Sequence, residues 1–338
     1  MAEAPATGGG VPEGEPTGEG MATGTGARMP TGRGASGPHT PDPASVPEAE
    51  REALEELAVA LALEAGVLVR DARPDRVGVH HTKSTDLDVV TEMDTRSEAL
   101  LRERLAAVRP NDGVLGEEDG LRAGTSGLVW VLDPIDGTVN YLYDLPAYAV
   151  SVAVVLGDPT TPGDWAPVAG AVINPRTDEV FHARAGGGAH LLTAEDSVPL
   201  QVTGGIDLDL GRALVATGFS YDREVRAEQA AVVADLLPRV RDIRRMGAAA
   251  LDLCHVAAGR VDGYYERCVK PWDIAAGMLV VTEAGGVVSG TTEDSPPSAD
   301  LTVAAGPALH PVLLAALDRA GPRHRDANGM PARAEALA

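Results

Sequence analysis

The chain has 338 residues and a formal net charge of −22, with 28 Lys and Arg against 50 Asp and Glu. That balance argues against nucleic acid as a direct partner, because phosphate backbones are bound by Lys and Arg. The two cysteines, Cys254 and Cys268, cannot build a disulfide framework of the secreted type, and the length suffices for one large α/β unit or two coupled halves.

Residues 1–46 are rich in Gly, Pro, Thr, Ala and Glu and lack aromatic residues, so they cannot bury enough surface to fold. They read as a disordered tail without the basic start and apolar core of a secretory signal. No later stretch reaches the ~20 apolar residues of a membrane span, so the expectation is a cytoplasmic protein that engages no membrane.

Residues 46–70 place Leu54, Leu57, Ala58, Leu61, Ala62 and Ala65 at helical spacing, and a second helix is expected over 95–108, entered at Asp94. Gly113, Val114 and Leu115 form a short apolar segment running into Gly-Glu-Glu-Asp-Gly at 116–120. Residues 129–132 read as a buried strand ending abruptly in Asp133-Pro134-Ile135-Asp136-Gly137-Thr138. From 148 to 192 the pattern turns to alternation and short apolar runs, with turns at 174–178 and 185–188, which predicts an antiparallel meander. The Gly run at 186–188 has no helix pattern after it, so a hairpin turn is expected rather than a phosphate loop. Strands at 213–216 and 263–266 then alternate with helices at 229–239 and 247–260. Lys270-Pro271-Trp272-Asp273 opens a last Ala/Leu/Val-rich helix that ends near Gly285, with Asp273 as its expected N-cap. The domain expectation is a tail over 1–46, a catalytic domain over 47–318 and a flexible end over 319–338.

Taken alone, each acidic cluster has an ordinary explanation as a turn, a solvated loop or a helix cap. Together they bring acids to three strand or helix ends, as a site built at the edge of an α/β sheet requires. Two carboxylates as close as Asp133 and Asp136 repel unless a cation lies between them, and oxygen-only donors suit a hard ion such as Mg²⁺. Neither cysteine has the His and Asn or Asp arrangement of a cysteine hydrolase, and His80-His81 lacks further ligands at zinc spacing.

Gly-Glu-Glu at 116–118, Asp-Pro-Ile-Asp-Gly-Thr at 133–138 and Trp-Asp at 272–273, in that order, resemble the signature of the inositol monophosphatase family of Mg²⁺-dependent, lithium-sensitive phosphatases. The resemblance runs from about residue 50 to about 315; Lys83-Ser84-Thr85 with Asp94 and the segment 247–266 fit it as well. It implies a five-layer αβαβα sandwich, a homodimer and two or three Mg²⁺ ions. Glu117, Asp133, the Ile135 carbonyl, Asp136 and Asp273 are the implied metal ligands. Asp94, Thr138 and Glu117 make up the implied catalytic set, with Asp94 and Thr138 orienting the attacking water and Asp94 near a third, weaker ion. The amides at Gly137 and Thr138 would cradle phosphate, and Asp273, Ala249 and Glu266 would face the substrate; Lys83 either caps the site or is an ordinary solvated lysine.

The implied reaction is hydrolysis of a small phosphate monoester, inositol 1-phosphate first. Ala248 stands where many members carry Ser or Thr, and Ser220 where Pro is frequent, which leaves the alcohol open. Histidinol phosphate, fructose 1,6-bisphosphate and a nucleotide 3′-phosphate remain alternatives, as does a catalytically silent metal-binding or interaction module.

Overall fold

The computed structural model describes residues 40–83, 89–204 and 209–320. Most of the expected tails, together with Ser84 and Thr85 of the front segment, lie outside the described residues. In chain order the elements are α1 (Glu48–Asp71), β1 (His81–Thr82), β2 (Val89–Val90), α2 (Glu92–Val108), β3 (Gly113–Gly116), β4 (Gly120–Arg122) and β5 (Leu128–Asp136). They continue with α3 (Thr138–Leu142), β6 (Ala149–Gly157), β7 (Trp165–Asn174), β8 (Glu179–Arg184), β9 (Gly188–Leu192), β10 (Ser197–Pro199), β11 (Leu214–Thr217) and α4 (Arg223–Leu236). The chain then forms β12 (Asp242–Arg244), α5 (Ala249–Ala257), β13 (Gly263–Glu266), α6 (Pro271–Glu283), β14 (Val287–Ser289), β15 (Thr302–Ala305) and α7 (His310–Ala320).

An eight-stranded sheet runs in the order β10-β9-β8-β7-β6-β5-β3-β4, antiparallel throughout except for the parallel pair β3 and β5. Helices cover both of its faces. The α1 and α2 side buries Leu54, Ala58, Leu61 and Leu101 with Trp130, Val150, Val152 and Ile173. Helices α5 and α6 pack on the other side, where Leu253, Ile274 and Val280 meet Val131, Ala153 and Phe181. This double coverage is why β6 is buried without interruption from Ala149 to Val155 and carries no polar face.

The far side of α5 and α6 meets a five-stranded sheet of order β12-β11-β13-β15-β14, whose outer face is closed by α4 and α7 through Leu236, Leu313 and Leu317 against Val215 and Val303. The layers are therefore helix, sheet, helix, sheet, helix, the expected sandwich. The meander over β6 to β9 and both of its turns stand as expected. At the 185–188 turn the Glu283 carboxylate accepts from the Gly186 and Gly188 amides at 2.8 and 2.9 Å.

Several boundaries differ from expectation. Residues 43–45 form a 3-10 turn capped by Asp42, and Val46 is buried, so the segment from Thr40 to Val46 packs where a loose tail was expected. Helix α2 begins at Glu92, capped by Thr91, so Asp94 is the third helical residue and not the entry point. Helix α4 starts at Arg223, six residues before the expected 229, because the Asp222 side chain accepts from the Glu224 and Val225 amides. Asp273 is not the N-cap of α6. Pro271, whose fixed φ suits the first helical position, sets the start, and Asp273 in the first turn reaches back to the Lys270 amide at 2.7 Å.

Candidate active site

The site begins where β3 and β5 end side by side. Glu117 follows β3 directly, and its amide donates to the Leu132 carbonyl at 3.2 Å, which ties the acidic turn to the end of β5. Under this turn lies Glu98 of α2, fully buried, whose carboxylate accepts from the Glu118 and Asp119 amides at 2.8 and 3.0 Å. Gly116 is required by that close approach, since a Cβ there would fall 2.2 Å from Glu98 Oε1.

At the end of β5 the pairing with β6 shifts register between Asp133 and Asp136. Asp133 is buried and accepts from the Ile135 amide at 3.1 Å. Asp136 accepts from the Ala250 amide at 2.7 Å, at the start of α5. Ala248, the N-cap of α5, has no side chain that can cap it, so a carboxylate from another element fills that role. Gly137 at φ +88° turns the chain into α3, a backbone conformation that L side chains rarely adopt.

The Thr138 hydroxyl lies 3.0 Å from both Asp94 Oδ1 and the Ile135 carbonyl. Asp94 sits behind Thr138, 1 % exposed, and its Oδ2 accepts from the Thr91 amide and hydroxyl at 2.8 and 2.5 Å. It backs the cavity wall without forming it, and both oxygens are engaged where a third ion was expected. Asn140 of α3 donates to the Ala147 and Met246 carbonyls at 2.6 and 2.8 Å, which ties α3 to the segment leading into Gly247.

Glu117, Asp133, Ile135, Asp136, Gly137, Thr138, Ala249, Glu266 and Asp273 all line one cavity of about 480 Å³. Lys83 lines it too, bonding Glu117 and Glu118 at 2.7 Å each. Glu266, at the end of β13, accepts from the Tyr264 hydroxyl at 3.0 Å. Arg245, Cys268 and Lys270 complete the rim. Asp252, one turn into α5, lies behind the wall, 1 % exposed.

Charge is out of balance here. Burial, then the neighbouring acids, raises Asp133 and Asp273 well above the usual carboxylate range, and burial raises Glu117 against the pull of Lys83. Burial lifts Asp136 and Glu266 to about 7 and Asp94 to about 6. Among the described residues Lys83 is the only cation in ion-pair range of these carboxylates, although Arg245, Arg267 and Lys270 also line the cavity, and the carboxylate pKa values stay raised in spite of it. The donor set, carboxylates plus the Ile135 carbonyl, is all oxygen and fits a hard divalent cation. Mg²⁺ bound there would supply electrophilic stabilisation of the departing oxygen and would lower the pKa of water.

Sequence reasoning missed Glu98, the Tyr264 partner of Glu266, and the service of Asp136 as a helix cap. Only Glu98 left a trace in the sequence, as an acid four residues before Arg102 and bonded to it at 2.7 Å.

The model of the inositol monophosphatase family matches residues 50–321. An inositol-1-monophosphatase of Mycobacterium leprae is 46% identical over 290 residues, covering 81% of this chain and 97% of that protein. A Nus factor SuhB of Xylella fastidiosa is 40% identical over 212 residues, covering 62% of this chain and 72% of that protein. Among solved structures, Mycobacterium tuberculosis SuhB is 44% identical with a TM-score of 0.67, covering 80% of this chain and 97% of that one. The Thermotoga maritima IMPase is 26% identical with a TM-score of 0.68, covering 78% and 96%. With the layered fold and the acid cavity in place at the positions that carry the sequence signature, this chain belongs to the inositol monophosphatase family.

Proposed function

We propose that this protein is a Mg²⁺-dependent phosphate monoester hydrolase that cleaves an inositol monophosphate to inositol and phosphate. The observation that carries the proposal is the convergence of Glu117, Asp133, Asp136 and Asp273 on one cavity beside the Thr138–Asp94 pair. In this reading Glu117, Asp133, Asp136, Asp273 and the Ile135 carbonyl hold the ions. Thr138 accepts a proton from the attacking water as it passes its own to Asp94, 3.0 Å away. The amides of Gly137 and Thr138 and the cations Lys83 and Arg245 face the phosphate. Glu266, fixed by Tyr264, accepts from ring hydroxyls, and the chain at Ala249 completes the alcohol pocket.

Phosphate release from inositol 1-phosphate with and without Mg²⁺ is the direct test, and no release at any Mg²⁺ concentration would sink the proposal. Histidinol phosphate, fructose 1,6-bisphosphate and a nucleotide 3′-phosphate belong in the same panel. A preference above about tenfold, or 1.4 kcal/mol of transition-state energy, for any of them would replace inositol as the alcohol.

A cytoplasmic homodimer accompanies this reading on family grounds, and light scattering of the purified protein checks the dimer. Relatives named Nus factor SuhB motivate a second reading, an interaction module. The complete set of acids favours chemistry over that reading.

A further inference from the structure

A second cluster of metal-ligand side chains lies on the α1 side of the large sheet, and none of its members lines the acid cavity. Glu55 of α1 is 6 % exposed. Its Oε1 lies 2.8 Å from Nδ1 of His182 on β8, and its Oε2 accepts from Arg184 at 2.7 Å. His190 on β9 is the cross-strand partner of His182, and the two rings stack with centroids 5.6 Å apart and planes 25° apart. One oxygen of Glu55 and one nitrogen of each histidine all lie within 4.8 Å of one another.

Ion pairing accounts for Glu55 and Arg184. It gives no role to His190, whose ring stacks on that of His182 and makes no hydrogen bond among the described residues. We propose that Glu55, His182 and His190 bind a divalent transition metal, with Zn²⁺ as the probe, through one oxygen and two nitrogens. Two imidazoles and a carboxylate suit zinc, copper or nickel, whereas Mg²⁺ prefers oxygen alone.

A tetrahedral ion with bonds of about 2.0–2.1 Å needs donors about 3.3 Å apart, so the 2.8 Å contact between Glu55 and His182 must open slightly to admit it. His190 is half-buried and has no hydrogen bond to break, so its ring is the one that turns. Arg184 keeps the other oxygen of Glu55 and fixes the carboxylate, as outer partners of metal ligands do. Its charge opposes an incoming cation, and Glu48 and Glu52, which also act electrostatically on Arg184, offset that opposition. Bound metal would clamp α1 to the β8–β9 hairpin.

The test compares the full chain with His190→Ala and with His182→Asn, in saturating Mg²⁺, by Zn²⁺ calorimetry, by melting temperature and by electron paramagnetic resonance after Cu²⁺ loading. The expected result is one Zn²⁺ equivalent more in the parent protein than in either variant. A Zn²⁺-induced rise in melting temperature and nitrogen hyperfine splitting should also be confined to the parent, while His190→Ala keeps its phosphatase activity. Equal stoichiometry in parent and both variants overturns the proposal, as does Zn²⁺ binding that saturating Mg²⁺ abolishes entirely. Should one variant fail to fold, as judged by circular dichroism, the other decides.

Discussion

The Asp136 carboxylate accepts a 2.7 Å hydrogen bond from the Ala250 amide, so a proposed metal ligand also closes the N-terminus of α5. Charge and capping can be separated here. Asp136→Asn keeps an acceptor for the amide and loses the charge, whereas Asp136→Ala loses both. Both variants should lose turnover by about a thousandfold or more, roughly 4 kcal/mol. Only Asp136→Ala should also lose the cap, worth about 1 kcal/mol. Denaturant melts in chelator, run beside activity assays, check this, and near-normal turnover in Asp136→Asn would remove Asp136 from the ligand set.

Asp133 has the same charge problem without the cap. Asp133→Asn should abolish turnover, and it should leave the chelator-treated protein as stable as the parent or more so, because one crowded negative charge is gone. An unchanged rate would refute the two-metal assignment and favour the interaction-module reading.

Metal-free stability should depend on pH in a defined direction. Asp136 and Glu266 titrate near 7 in the folded protein, against 4.5 or lower for free carboxyls. The folded state therefore holds more protons than the unfolded state between about 4 and 7, and the stability these groups contribute at low pH is lost as the pH rises through about 7. Melting temperature in chelator should fall from pH 5 to pH 8, and saturating Mg²⁺ should remove most of that fall. The same slope with and without Mg²⁺ would place the titrating groups elsewhere.

Thr138 should be needed for rate more than for binding. Thr138→Val removes the hydroxyl at nearly constant volume and should lower kcat by about a hundredfold or more while KM changes little; Thr138→Ser should recover much of the rate. A rise in KM at constant kcat would make Thr138 a binding residue only.

Li⁺ resembles Mg²⁺ in size with half its charge, so millimolar lithium should inhibit turnover. Full activity in high lithium would count against the proposed Mg²⁺ sites in the acid cavity.

Gly116→Ala tests the support under the acidic turn. Its Cβ would meet the Glu98 carboxylate, which is pinned by two amides and by Arg102, so the cost should be about 1–3 kcal/mol of stability, with a weakened Mg²⁺ response. A variant with the parent's melting curve and Mg²⁺ dependence would show that the turn can shift without harm.

The sequence was most legible where period and chemistry coincide. The meander showed because strands alternate and their turns carry Gly, Asn and Asp; the acid cavity showed because most of its carboxylates are packed into three short motifs. Helix starts were less legible, since Thr91 with Asp94 and Lys270-Pro271 with Asp273 both set an acid in the first turn, and an acid there looks much like a cap. Strands β12, β14 and β15 are three or four residues long, too short for a period to register. Glu98 supports the acidic turn through amides of a distant segment, contacts made only on packing, and Tyr264 reaches Glu266 only because the two side chains share one side of β13.

A regular strand has parity: positions three apart face opposite sides of a sheet. The register shift at the end of β5 cancels that parity between Asp133 and Asp136, and one strand thereby delivers two carboxylates and a carbonyl to the same cavity. The spacing of three therefore depends on the extra residue: in a strand without the shift, aspartates three apart would face opposite sides, and only aspartates two apart would share one.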